Sequence, residues 1–388
     1  MAHNLKKVCV ITLLAALIGA VFWARDLPLP REGALEEQRA GWCGVLRMWV
    51  CEGWEPGLGS LVPWLNAASE AFERGHDGVY VQITPVTLPT LRSFNYAAEN
   101  PPDLILFHPG ALDSPEDLLK TEENPPLNAS LQRYGGGYAL PVAVGGYALA
   151  VSGDAGDSPL TVPLDADALS YSAATAALLA GDAVSEDGEA APRGQYGMDL
   201  GLPSPTQAPT AERAPRRREM IPAPGSARSD SAYARFARGE VCRTVVTQRE
   251  IRRLQLLDDS GRAPDWRVLT VGEVFTDQLA LVGVVDIERN DLAERQALAV
   301  AFRDFLLSDA RQAALAKVRA FRVTPGSALY AGQKGFSQLE AALAESPLIL
   351  PDAFGNGWRA GAANALDALL RGEGGAAEKI WALFPAGG

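Results

Sequence analysis

The sequence predicts an α/β fold built on a parallel sheet, with a helical C-terminal part. Three observations predict it. Short β-rich apolar runs alternate with helix-patterned segments from residue 44 to about 120, two apolar runs joined by Gly145-Gly146 interrupt that rhythm, and the chain is mostly helical from residue 291. At roughly 100–200 residues per domain the chain makes two or three domains. Its 47% hydrophobic content can fill sizeable cores, which excludes disorder or a coiled-coil rod for most of its 388 residues.

GVLRMWVCEG (44–53) has the pattern of a buried strand ended by Gly53. Ser60 is placed to cap a helix whose face is Leu61, Trp64, Leu65, Ala68 and Phe72, with Gly75 as its stop. VYVQI (79–83) is a second strand, a weaker helical stretch covers 88–98, and Pro101-Pro102 launches the buried strand DLILF (103–107). Ser114-Pro115-Glu116-Asp117 combines a cap, a proline at the first helical position and acids in the first turn, so another helix is expected there. This alternation implies a parallel sheet covered on both faces.

GGYALPVAVGGYALAVS (136–152), with Pro141 in its first run, is extended rather than helical and crosses from one part of the molecule to another. A helix is expected over 165–180. Residues 181–229, rich in Pro, Gly, Ser and charge and including Arg216-Arg217-Arg218, form a low-complexity insertion without periodicity. Order resumes with a helix near 231–238, the strand EVCRTVV (240–246), the helix QREIRRLQLL (248–257), and strands over WRVLTV (266–271) and DQLALVGVVD (277–286). Helices are expected over 291–308, 308–318, 335–345, 358–372 and 376–384, and there is no internal repeat.

Lys6 and Lys7 precede the unbroken apolar run VCVITLLAALIGAVFWA (8–24), which stops at Arg25-Asp26. A charged stretch followed by an apolar one is an export signature. At about 1.5 Å per residue the run reaches the lower limit for a bilayer span. The two lysines place its N-terminus inside, and Trp23 suits the outer interface. Phe22 two positions before Ala24 specifies cleavage poorly, so residues 1–25 read as a signal or anchor segment and 26–43 as a tether. The rest of the protein is expected on the extracellular face of the cytoplasmic membrane, anchored or secreted.

Net charge is −12, and the three cations and no acids of residues 1–25 leave −15 for the remainder. Such an acidic body argues against nucleic acid as a partner. Three histidines and no Cys-x-x-Cys pair argue against a metal site, and no cofactor is expected. Cys43 and Cys51, near opposite ends of one strand, are too far apart to bridge. A Cys51–Cys242 bridge is the alternative, but buried free thiols are the simpler expectation. Enzyme signatures are missing: no Gly-x-Ser-x-Gly, P-loop or Gly-x-Gly-x-x-Gly is present, and neither His76 nor His108 has a motif partner.

In their order, GVLRMWVCEGW (44–54), NPPDLILFHPGAL (100–112), YALPVAVGGYALAVS (138–152), FARGEVCRTVV (236–246) and AFRDFLLSDARQAALAKVRAFRVTP (301–325) resemble bacterial extracellular solute-binding proteins. These are the substrate-capturing subunits of ABC importers with the type II periplasmic-binding fold. The last segment carries the family's helix ending in a Leu-Ser-x-x-x-Gln break. The resemblance implies two α/β lobes joined by crossing strands and closing on a solute. The first lobe takes 44–143 with parts of 275–350, and the second 144–274 with parts of 320–388. It implies two separately folded halves around one gap, with Glu52 and His108 on the same side of it.

Ligands of open α/β sheets sit beyond the carboxyl ends of strands. That rule selects Glu52, Gly53 and Trp54 after the first strand, and His108 and Pro109 after the third. Glu52 can accept hydrogen bonds from sugar hydroxyls, and Trp54 can stack on a pyranose face. Tyr147 follows the glycine pair, where a hinge needs conformational freedom. Thr247, Gln248 and Arg249 follow the strand over 240–246. The family often has an aromatic there, and its lack leaves room for an anionic ligand at Arg249. Phe275, Asp277 and Trp358 are further loop candidates. The expected partners are a small solute, most naturally a carbohydrate, ABC permease subunits, and the membrane through the N-terminal segment. The alternative is a membrane-tethered sensor or envelope interaction protein that uses a binding-protein fold without transport.

Overall fold

In the computed structural model the described residues are 42–96, 100–112, 114–120, 127–131, 137–153, 162–164, 220–222, 232–269, 274–286, 292–345, 348–349, 361 and 364. The expectations for 8–24, for 165–180, for most of 181–229, for Trp358 and for the last two helices lie outside them. The chain divides between Cys43 and Gly44, and every strand and helix among the described residues belongs to the body from Gly44 onward.

The first three strands are β1 (Gly44–Val50), β2 (Val79–Pro85) and β3 (Leu104–Phe107), which pair in parallel with β1 in the middle. Between β1 and β2 runs α1 (Val62–Glu73), whose buried stripe is Trp64, Leu65, Ala68, Ser69 and Phe72. Its start departs slightly from expectation. Leu61 stands at the cap position, and Ser60 Oγ accepts the Val62 amide at 3.0 Å. α2 (Leu88–Ser93) is capped by Thr87. On β2, Val79 and Val81 are buried while Tyr80 is 61% exposed, so this edge strand is covered on one face only, not on both.

The sheet is not wholly parallel. β4 (Leu140–Val144) lies at its far edge, and β11 (Leu279–Val284) enters antiparallel between β3 and β4, giving the order β2-β1-β3-β11-β4. All six residues of β11 are buried, so its apolar run marks it as central without revealing its direction. The helix expected after Ser114 is one 3-10 turn, Pro115–Asp117. The chain leaves it because Leu118 and Lys120 bond instead to the continuation of β11: the Asp286 amide donates to Leu118 at 2.8 Å and the Lys120 amide to Val284 at 3.0 Å.

The second sheet is β8-β5-β9, antiparallel throughout, from β5 (Tyr147–Ser152), β8 (Arg243–Thr247) and β9 (Trp266–Leu269). β4 and β5 therefore belong to different sheets, and Gly145-Gly146 is the crossing the sequence announced. Two parallel strand pairs complete the set: β6 (Val162–Leu164) with β7 (Met220–Pro222), and β10 (Val274–Phe275) with β12 (Leu348–Ile349). β7 is regular structure inside the stretch read as an unpatterned insertion. Its three residues are too few to show a period.

The helices of the second half are α3 (Ala232–Ala237), α4 (Gln248–Asp259), α5 (Leu292–Leu306), α6 (Asp309–Ala314) and α7 (Phe336–Glu345). The Leu-Ser-x-x-x-Gln break between α5 and α6 has a clear purpose. Buried Gln312 donates to the carbonyls of Val142 (2.8 Å) and Leu306 (3.0 Å) and accepts the Val323 amide (2.9 Å), tying the break to β4.

The fold is two-lobed, but its halves are not separately cored. One buried cluster runs from Ile105, Phe107 and Leu281 of the first sheet to Ala150, Val246 and Val268 of the second. Phe321, Tyr330, Phe336, Leu339 and Leu343, from the segment after α6, belong to the same cluster.

Candidate functional site

The carboxyl ends of β1, β3 and β8 converge at the crossing between the sheets. Gly53 lies against His108: a Cβ there would fall 2.1 Å from the His108 ring, so only glycine fits. Glu52 and His108 are thus on one side of the molecule, as expected. His108 is buried with its Nδ1 3.0 Å from the Pro109 carbonyl, and Pro109 is buried beside it.

Glu52 is exposed, but both carboxylate oxygens face the start of α1. One accepts the Leu61 amide and the other the Ser60 hydroxyl at 2.9 Å. Trp54 is 5% exposed and packs on Gly145, where an added Cβ would come within 2.9 Å of the indole ring. In this conformation it packs between the sheets. The loop after it is pinned as well. The Gly57 amide donates to the Arg319 carbonyl (3.0 Å) and the Leu58 amide to Val318 (3.2 Å). Arg319 takes the left-handed backbone conformation (φ 61°), uncommon for a side chain of its size, and its guanidinium lies over Tyr330 and Phe336.

Three crossing segments run side by side. The Gly145 amide donates to the Gln278 carbonyl at 2.7 Å, the Thr276 hydroxyl to the Gly145 carbonyl at 2.7 Å, and Val144 and Phe321 exchange backbone bonds at 2.9 and 3.1 Å. Buried Tyr147 donates to Asp277 Oδ1 at 2.8 Å and stacks on Phe275 with ring centroids 6.1 Å apart. Tyr147, Phe275 and Asp277 therefore form one group.

From the second sheet, Thr247 caps α4 in a reciprocal box with Glu250, so its hydroxyl serves the helix. Gln248 is fully buried. Its Nε2 donates to the Glu55 carbonyl and to Gln278 Oε1, both at 2.7 Å, and its Oε1 accepts the Gly146 amide at 3.1 Å. Arg249 is ion-paired to Glu55. That pairing leaves its charge compensated and lessens the case for an anionic ligand there.

Sequence reasoning missed Glu55, Thr276, Gln278 and Arg319. Gln278 had a signal, being a polar residue at the head of an entirely apolar run; Glu55 contributes a backbone carbonyl, which sequence does not mark. Below the loop, burial pushes the Cys51 thiol up to about 11, opposed by Arg92. Cys43 is exposed, Cys51 buried and Cys242 half-buried. Among the described residues no group of three or more His, Cys, Asp or Glu is placed to hold a metal ion, and no helix is long and apolar enough to cross a membrane.

No protein-family model and no curated protein matches the chain. Solved structures do. The cyclic alpha-maltosyl-1,6-maltose binding protein from Arthrobacter globiformis matches with a TM-score of 0.55 at 14% identity, covering 88% of this chain and 97% of that one. A cyclo/maltodextrin-binding protein complexed with maltotetraose matches at 0.54 and 13%, covering 88% and 96%. The GacH receptor of Streptomyces glaucescens, solved unliganded and with acarbose, matches at 0.53 and 16%, also covering 88% and 96%. All three are binding proteins or receptors, not enzymes. The chain has the two-lobed α/β fold of these binding proteins.

Proposed function

We propose that this chain binds a carbohydrate between its two lobes, outside the cell, and delivers it to an ABC importer. The observation that carries the reading is the convergence of three strand ends on one crossing lined by Trp54, Tyr147 and Phe275, in a fold shared with sugar-binding proteins. Aromatic faces cover the CH groups of a sugar ring while the ring edge keeps its polar contacts, and Asp277 and Gln248 supply polar groups beside them. We assign the β1–β4 and β11 sheet to the first lobe and the β5, β8 and β9 sheet to the second. Residues 8–24 would direct export and hold the protein at the membrane.

Capture needs no chemistry. A solute shifts the closing equilibrium only by its differential affinity for the closed state. The test is a thermal-shift panel of maltotetraose, chitin oligosaccharides, amino acids, peptides and metal ions. A sugar at about 100 times its dissociation constant stabilises by roughly 2.7 kcal/mol, and the melting point rises accordingly. No response to any sugar, with an unchanged scattering profile, sinks the carbohydrate reading.

A second reading, a membrane-tethered sensor or envelope interaction protein, is favoured by one observation. Glu52, Trp54 and Gln248 are already satisfied by partners within the chain. Co-purification with permease subunits from membranes supports delivery; intact sugar binding without any permease supports the sensor.

A further inference from the structure

We propose that the Gln248 carboxamide is a latch that holds the two lobes together, so that closure is set by the chain's own bonds before any solute adds to it. Gln248 stands in the first turn of α4, on the second sheet. Its oxygen accepts the Gly146 amide in the first crossing segment. Its nitrogen donates to the Gln278 side chain in the second crossing segment and to the Glu55 carbonyl in the loop after β1 of the first sheet. One carboxamide therefore ties two of the three crossing segments to the loop after β1.

The three bonds use both amide hydrogens and one oxygen lone pair, in a site shielded from water, where hydrogen bonds are stronger and unpaired groups costlier. Opening would expose this group to solvent and break the bond to Glu55 first, since that bond alone crosses to the first sheet's loop. The surroundings leave no slack. A Cβ on Gly145 would lie 2.5 Å from Gln278 Oε1, 2.8 Å from Gln248 Nε2 and 2.9 Å from Trp54. The neighbouring Arg249–Glu55 ion pair is half-exposed, and exposed pairs contribute little, so the latch is the buried amide and not the charges.

The latch goes beyond the proposed function and is tested without any sugar. Gln248→Ala is compared with wild type and with Glu55→Ala, which removes the ion pair but keeps the carbonyl that the latch uses. Small-angle scattering reads the opening, hydrogen exchange reads the Gly146 amide, and far-UV circular dichroism confirms the fold. Gln248→Ala should raise the radius of gyration and speed Gly146 exchange about tenfold or more, while Glu55→Ala changes neither. An unchanged radius and unchanged Gly146 exchange in folded Gln248→Ala overturns the latch, as does an equal response in Glu55→Ala. Should Gln248→Ala not fold, the wild-type protein still decides. A Gly146 amide protected as well as that of Gly145 supports the latch, and one that exchanges like an open loop amide overturns it. Failure of sugar binding leaves this result untouched, and failure of the latch leaves sugar binding untouched.

Discussion

Glu52 caps the helix that begins ten residues after it: one carboxylate oxygen accepts the Leu61 backbone amide, and the other takes the Ser60 hydroxyl. A negative group at a helix N-terminus satisfies an orphan donor and meets the positive end of the helix dipole. Glu52→Ala should therefore lower the unfolding free energy by about 1–2 kcal/mol, measured by urea titration. Glu52→Gln should recover part of it. If Glu52→Ala leaves stability unchanged and abolishes sugar binding instead, the carboxylate belongs to the ligand and not to the helix.

Trp54 separates packing from recognition. It is buried against Gly145, so Trp54→Ala should cost about 3–5 kcal/mol of stability, the range for emptying a large aromatic site. On the carbohydrate reading it should also weaken sugar affinity at least about tenfold, a loss of about 1.4 kcal/mol or more. Calorimetry on the folded variant reads the second effect. Affinity equal to wild type removes Trp54 from the site and leaves it as packing.

The contrast between these two residues shows what was legible in the sequence. The strands β1, β3, β5 and β11 were legible because buried strands are continuous β-rich apolar runs. So was the crossing, because two glycines between such runs, with Pro141 in the first, do not fit a helix. The antiparallel direction of β11 was not, since an apolar run has no arrow. The helix after Ser114 had every local start signal, yet long-range pairing with Val284 and Asp286 ended it after one turn. At the site, the rule of strand ends selected Glu52, Gly53, His108 and Gln248, while Tyr147 was selected by the glycine pair before it and Asp277 as a loop residue. It did not foresee that Glu52 and Thr247 are spent on helix caps, or that Gln248 bonds its own chain, because partner choice depends on distances that only the fold creates.

Gln312 is a polar residue of α6 that the fold buries completely. It is buried with three hydrogen bonds, and Gln312→Leu would strand the Val323 amide and remove the donors to Val142 and Leu306. The expected loss is about 2–4 kcal/mol, since each buried unsatisfied group costs about 1–3 kcal/mol. Denaturant midpoint and slope check it. A stability within about 0.5 kcal/mol of wild type would show that water replaces the carboxamide there.

The buried Cys51 thiol gives stability a defined alkaline limb. Its pKa is raised from 9.0 to about 11, first by burial and then by the nearby Glu52 charge, with Arg92 opposing. Tyr96, raised from 10.0 to about 12 by burial, adds to it at higher pH. Between pH 9 and 11 the unfolded chain gives up the thiol proton while the folded chain keeps it, so the folded state binds more protons and stability falls as pH rises. Below pH 9 both states hold the proton and the group contributes no slope. The total effect of Cys51 is on the order of 2–3 kcal/mol, from about two units at 1.36 kcal/mol each. Urea unfolding at pH 8, 9, 10 and 11 should show this decline in the wild type and a shallower one in Cys51→Ala, with Tyr96→Phe removing the part that develops above pH 10. In the native protein at pH 8 the Cys51 thiol should also react with a thiol reagent far more slowly than exposed Cys43, because so little of it is thiolate and so little of it is reachable. Equal reaction rates for the two cysteines, or identical alkaline limbs for wild type and Cys51→Ala, would place Cys51 in solvent and remove the buried floor on which the Glu52–Trp54 loop rests.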